Sequence, residues 1–156
     1  MSTDRGPDTY TESQVIMTAV RIVAPFSMTY GLYMILHGAD TPGGGFQGGA
    51  IVGSTILMIA FAFGIDPTRE WINNTVLTVI IGGGVTIFIG VGLATMALGG
   101  GFLEYRLFEV VLGIPGGTKW GMEAIEVLGI AAIVSGVIVG LFFASAAGPE
   151  DGGEQL

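Results

Sequence analysis

Four stretches of this chain are too apolar and too long to fold in water. Val76 to Leu98 contains no charged side chain, Gly48 to Gly64 contains none, and Val15 to Leu36 contains only Arg21. The fourth, Glu123 to Phe143, has its acids, Glu123 and Glu126, confined to its start. A helix needs roughly 20 apolar residues to cross the hydrocarbon layer, and only helices or closed barrels satisfy their backbone there. The reading is therefore an all-α integral membrane fold of four transmembrane helices. A composition of 51% hydrophobic against 12% charged residues removes the alternative of a soluble globule.

Taken in order, residues 1–13 form a polar tail without the apolar core and cleavage pattern of a signal peptide. Residues 14–144 form the four-helix membrane domain, and residues 145–156 an acidic tail. In the first span, Pro25 kinks the helix and Arg21 either snorkels to the interface or pairs with an acid on another subunit. The second apolar stretch is short for a span, so part of the glycine run before it continues into its helix. Gly49 and Gly53 within it allow another helix to approach closely. The polar link Asp66 to Asn74 carries Trp71 as an interfacial anchor. Its Asn73-Asn74-Thr75 triplet fits a glycosylation pattern that is common by chance and receives no role.

In the third span, Gly82, Thr86, Gly90 and Ala94 form a small-residue ridge expected to pack against protein, and Ala132, Gly136, Gly140 and Ala144 form another in the fourth. Between these spans, Phe102 to Leu112 has helical spacing and reads as a short interfacial helix. Four spans put both termini on one side. Arg5, Arg21 and Arg69 lie toward that side and Arg106 and Lys119 toward the other, which favours cytoplasmic termini.

Between spans one and two lies the densest local signal, His37-Gly38 followed by Pro42, Gly43, Gly44, Gly45, Phe46, Gln47, Gly48 and Gly49. Glycine reaches backbone angles closed to other residues and proline fixes its own, so this reads as a packed, glycine-rich bend. Gly43, Gly45 and Gly48 match a dinucleotide-binding spacing, but that motif follows a β-strand in a soluble βαβ unit, whereas this run follows a membrane helix. No Lys and Ser/Thr pair closes a phosphate loop.

The net charge of −8 excludes a nucleic-acid partner, which needs a basic face. Acidic tails fit either adaptation to high salt or a simple solvated tail. Without cysteine there is no disulfide or thiolate chemistry, and the single histidine, His37, builds no histidine metal site alone. His37 reads as a side chain hydrogen-bonded to loop backbone or as a proton relay. Glu126 reads as an ordinary helix-start acid or as a group that helps carry protons or sodium. A pump acting alone would place several ionisable groups in its spans, so this scarcity points to partner chains. No cofactor and no enzymatic activity are expected.

Arg21, Pro25, Gly31, Tyr33, His37-Gly38 and the segment PGGGFQGG at Pro42 to Gly49, followed by uncharged glycine-bearing helices, resemble the MnhB-like family, small membrane subunits of the Mrp-type multisubunit sodium/proton antiporters. Gly121 to Gly129, with Glu126, is similar to the family's segment near its fourth span. The resemblance implies a small membrane subunit of a hetero-oligomer that exchanges cytoplasmic Na+ for external H+ across a prokaryotic cell membrane. It would help shape the ion path, with Pro42, Phe46 and the surrounding glycines packing against neighbouring subunits. Two alternatives stand beside it: a membrane-arm subunit of an ion-pumping, hydrogenase-type redox complex, and a purely structural assembly subunit.

Overall fold

A computed structural model of the protein describes residues 13–40 and 44–146. Helix α1 spans Gln14–Leu36, α2 Gly44–Phe63, α3 Ile65–Trp71, α4 Asn74–Ala97, α5 Arg106–Val110, α6 Gly117–Glu123 and α7 Ala131–Ala146. A π-helical stretch, Ala124–Ile130, joins α6 to α7 into one 30-residue rod, about 45 Å long at 1.5 Å per residue. Among the described residues, four helices are long and apolar enough to span a membrane: α1, α2, α4 and this rod.

Local chemistry sets the ends. Ser13 and Asn73 cap α1 and α4, accepting from the N–H groups of Ile16 and Val76. The chain passes from α2 into α3 through Gly64 at φ 110°, a conformation that favours glycine. The helix of α1 continues through Pro25.

The spans pack in a row rather than a closed bundle: α1 against α2, α2 against α7, and α7 against α4. Small residues set these contacts. Gly48 meets Gly31 and Ile35 of α1, while Gly49 and Gly53 meet Ala131, Ser135 and Ile138 of α7. Inside the membrane, such residues let backbones approach and gain dispersion contacts. The buried Thr55 hydroxyl donates to the Ile51 carbonyl and accepts from Ser27 across the α1–α2 contact (2.7 Å each).

The two ridges fare differently. In the fourth span, Gly136 receives Ile81, and Ala132 and Gly140 also face α4, although Ala144 is exposed. In α4, Gly82, Thr86, Gly90 and Ala94 are all exposed, with nothing near Gly82 or Gly90, so this ridge does not pack within the chain. The neighbouring face, Leu77, Gly84, Gly92 and Thr95, is buried instead. Large apolar side chains share that second face, and they decided the packing.

The connections also depart from expectation. The polar link after α2 contains helix α3. Between spans three and four the regular helix is short, Arg106–Val110, and the fourth span begins at Gly117 rather than Glu123. Phe102 folds back onto Gly92, while Tyr105 and Phe108 cover Gly121. The polar N-terminal tail through Glu12 and residues 147–156 of the acidic tail lie outside the described residues.

Candidate functional site

The glycine run does not stay a loop. Gly44, Gly45, Phe46, Gly48 and Gly49 form the first turns of α2, and Gly38–Asp40 form a single 3-10 turn after α1. Pro42 and Gly43 lie outside the described residues. Helical periodicity then divides the glycines between two faces. Gly44 and Gly48 lie against α1, where a Cβ on Gly44 would strike Gly38 and come within 2.9 Å of the Met34 carbonyl. Gly45 and Gly49 lie against the fourth span, and Phe46 and Gln47 point away, Phe46 being 60% exposed.

At the start of α2 the Gly45 N–H donates to Glu126 Oε2 at 2.7 Å. The first four N–H groups of a helix lack partners within it, and the helix dipole places partial positive charge there, so a carboxylate is favoured at this point. Glu126 therefore is not an acid at the start of its own helix: the rod begins nine residues earlier, at Gly117, and Glu126 serves the start of α2. It lies in the π-helical stretch, where the Ala131 N–H reaches back five residues to the Glu126 carbonyl. A Cβ on Gly45 would collide with both the carboxylate and the carbonyl of Glu126, and a Cβ on Gly38 would lie 2.9 Å from Glu126 Cβ. The anion position at this helix start, which a phosphate would need, is filled by the protein's own carboxylate.

Around this contact the ends of the spans are tied together. Lys119 Nζ lies 3.1 Å from Asp40 Oδ2 and 3.8 Å from Glu123 Oε1, linking the first connection to the fourth span. Glu109 accepts from the Thr118 hydroxyl at 2.8 Å. Burial, followed by the neighbouring Glu126 charge, raises the Tyr105 phenol above its ordinary pKa, so it stays protonated at neutral pH.

His37 caps the C-terminus of α1. Its Nδ1 lies 3.0 Å from the Tyr33 carbonyl, and its ring stacks on Tyr33 with centroids 4.2 Å apart. Arg21 is at the other end of α1, sixteen residues and about 24 Å away along the helix. It sits over the Phe63 ring, 5.3 Å from the centroid. The candidates thus separate into a glycine–Glu126 centre with His37 at its edge, and a distant Arg21. Among the described residues, no three His, Asp or Glu side chains converge as a metal site would require.

The pairing of Asp40 with Lys119 and the approach of Tyr105 to Glu126 were not legible in sequence, because each joins positions far apart in the chain. The only hint was that these charges flank the connections on one side of the membrane.

The family described as "Domain related to MnhB subunit of Na+/H+ antiporter" matches residues 15–140. The chain is similar to a Na(+)/H(+) antiporter subunit of Bacillus subtilis, 28% identical over 81% of this chain and 88% of that protein. It is also 30% identical to the putative antiporter subunit mnhB2 of Staphylococcus aureus strain Newman, over 80% of this chain and 88% of the relative. No solved structure matches it.

Proposed function

The chain belongs to the MnhB family of Na+/H+ antiporter subunits, and from that premise we propose that it is a multi-pass subunit of a complex exchanging cytoplasmic Na+ for external H+. The complex works in a prokaryotic cell membrane, with the termini of this chain on the cytoplasmic side. The chain is a component of a transporter rather than a catalyst. Its role is to shape the path and hold neighbouring subunits. The antiporter names of its relatives favour ion-gradient exchange over the redox-driven alternative.

The observation that carries the division of labour is the contact of Glu126 with the Gly45 backbone. Helices α2 and α4 contain no ionisable side chain, and the acid deepest in the fourth span is engaged in holding the start of α2. Ion-carrying groups then belong chiefly to partner subunits. Gly44, Gly45, Gly48 and Gly49 bring α1, α2 and the fourth span together, leaving Phe46 outward for a neighbouring subunit. His37 closes α1 beside it.

The test is purification in mild detergent followed by reconstitution. The chain is expected to co-purify with larger antiporter subunits, and proteoliposomes of the whole complex should show Na+-dependent H+ movement. An isolated homo-oligomer that transports Na+ by itself would overturn the reading. A Phe46→Ala complex that assembles but loses exchange would assign Phe46 to the ion path, whereas loss of assembly would assign it to subunit packing.

A further inference from the structure

At the end of the molecule opposite Glu126, helix α3 folds back beside the C-terminal turns of α2 and leaves a cavity of about 440 Å³. Its walls are Ile56, Ile59 and Phe63 of α2 with Pro67, Trp71 and Ile72 at α3. The one hydroxyl in the wall, Thr68, donates to the Gly64 carbonyl at 2.9 Å and is already satisfied. Such a nearly apolar wall offers water few partners, and a dry void forfeits dispersion contacts.

The level of this cavity in the membrane follows from α2. Its 20 residues make about 30 Å of helix, just the hydrocarbon thickness, so Phe63 at its end stands at the boundary. Trp71, 87% exposed, suits the headgroup level beside it. Phe63 has a second role, because the exposed Arg21 guanidinium lies over its ring. Among the described residues Arg21 has no ion-pair partner. An apolar slot and an exposed guanidinium therefore share one aromatic residue at the depth where a lipid's acyl chain meets its phosphate.

We propose that the corner formed by Arg21, Phe63 and α3 binds an anionic phospholipid, with an acyl chain in the cavity and the phosphate on Arg21. Guanidinium is suited to this task, since its planar fork pairs with phosphate while its face stacks on an aromatic ring. The site does not depend on which ions the complex carries.

Native mass spectrometry of the full chain in detergent tests it, after equilibration with phosphatidylglycerol, with uncharged diacylglycerol or with inorganic phosphate. The wild type should retain phosphatidylglycerol over diacylglycerol, and inorganic phosphate at equal concentration should not displace it. Arg21→Gln should lower phosphatidylglycerol retention about fivefold, the factor for one basic residue at an anionic membrane surface, without changing diacylglycerol. Ile59→Trp fills the slot with the charge intact and should lower retention of both lipids. Unchanged phosphatidylglycerol retention in both variants would overturn the proposal, as would displacement by inorganic phosphate. So would a photocrosslinker at position 71 of the assembled complex that reacts with another subunit instead of lipid.

Discussion

Gly45 has no room for a side chain, because its Cβ direction points into the carboxylate and carbonyl of Glu126. Gly45→Ala should cost about 1–3 kcal/mol, the usual penalty of overpacking. The expected outcome is a lower thermal midpoint of the purified chain. Glu126→Ala leaves the Gly45 N–H without its acceptor and should cost a similar 1–3 kcal/mol. Glu126→Gln keeps an acceptor oxygen, losing only the charge-assisted part, and should lie nearer wild type. Tyr105 offers a separate readout of that charge. Burial and the Glu126 carboxylate both raise its phenol, so removing the carboxylate charge in Glu126→Gln should move the Tyr105 titration down toward its ordinary value. Ultraviolet titration, with Tyr105→Phe to identify the signal, measures this. An unmoved titration would mean that burial alone sets the Tyr105 value.

Along an element, the same residue type has opposite consequences on adjacent faces. A Cβ on Gly84 would stand 2.8 Å from the Gly129 carbonyl and 2.9 Å from Ile133, while one on Gly82, two residues away, meets nothing. Gly84→Leu should therefore separate α4 from the rod and lower the melting point of the purified chain. Gly82→Leu should leave it unchanged or raise it slightly, since leucine is the better helix former. Equal effects of the two would contradict the packing of α4. Sequence spacing singled out the ridge Gly82, Thr86, Gly90 and Ala94 in this helix, which is not the one that faces the chain, because glycine at four-residue steps favours close approach to any helix. The buried face was chosen by the larger side chains beside it, Leu77 and Ile81, which fill the groove along α7 at Gly140 and Gly136. The glycine run was legible to a similar degree. Its continuation into α2 follows from span length, but its division into an α1 face and a fourth-span face follows from helical phase once both neighbours are in place.

Across the whole molecule, the open row leaves much of each span for lipid or partner chains: between 17 and 33% of each apolar window is buried within the chain. This is the pattern expected of a subunit rather than a self-contained transporter. Residues 37–40 lie at the same end as the start of the fourth span, as the Asp40–Lys119 bridge requires, so the α2–α4 link occupies the opposite face. The absence of native cysteine allows a direct check. Glu70→Cys should react with a membrane-impermeant maleimide only from the cytoplasmic side and Gly113→Cys only from outside. The reverse pattern would invert the proposed orientation. The bridge itself contributes little to stability, because both side chains are more than half exposed. Asp40→Asn should leave the thermal midpoint of the purified chain nearly unchanged. A larger loss in the assembled complex alone would place Asp40 at a subunit contact.

Four membrane helices follow from the sequence alone, because apolar stretches of about 20 residues must satisfy their backbone internally and are roughly twice the length of a barrel strand. The sequence also singled out Arg21, His37, the glycine run and Glu126, since charges and glycines are costly inside a span and stand out against apolar residues. Only the tertiary structure decided what these residues meet. Glu126 was legible as an acid near a helix start, yet the start it serves is that of α2, 81 residues earlier in the chain. That pairing depends on the order α1, α2, α7, α4 and on the π-helical stretch that turns Glu126 toward Gly45, and neither leaves a periodic trace in the sequence.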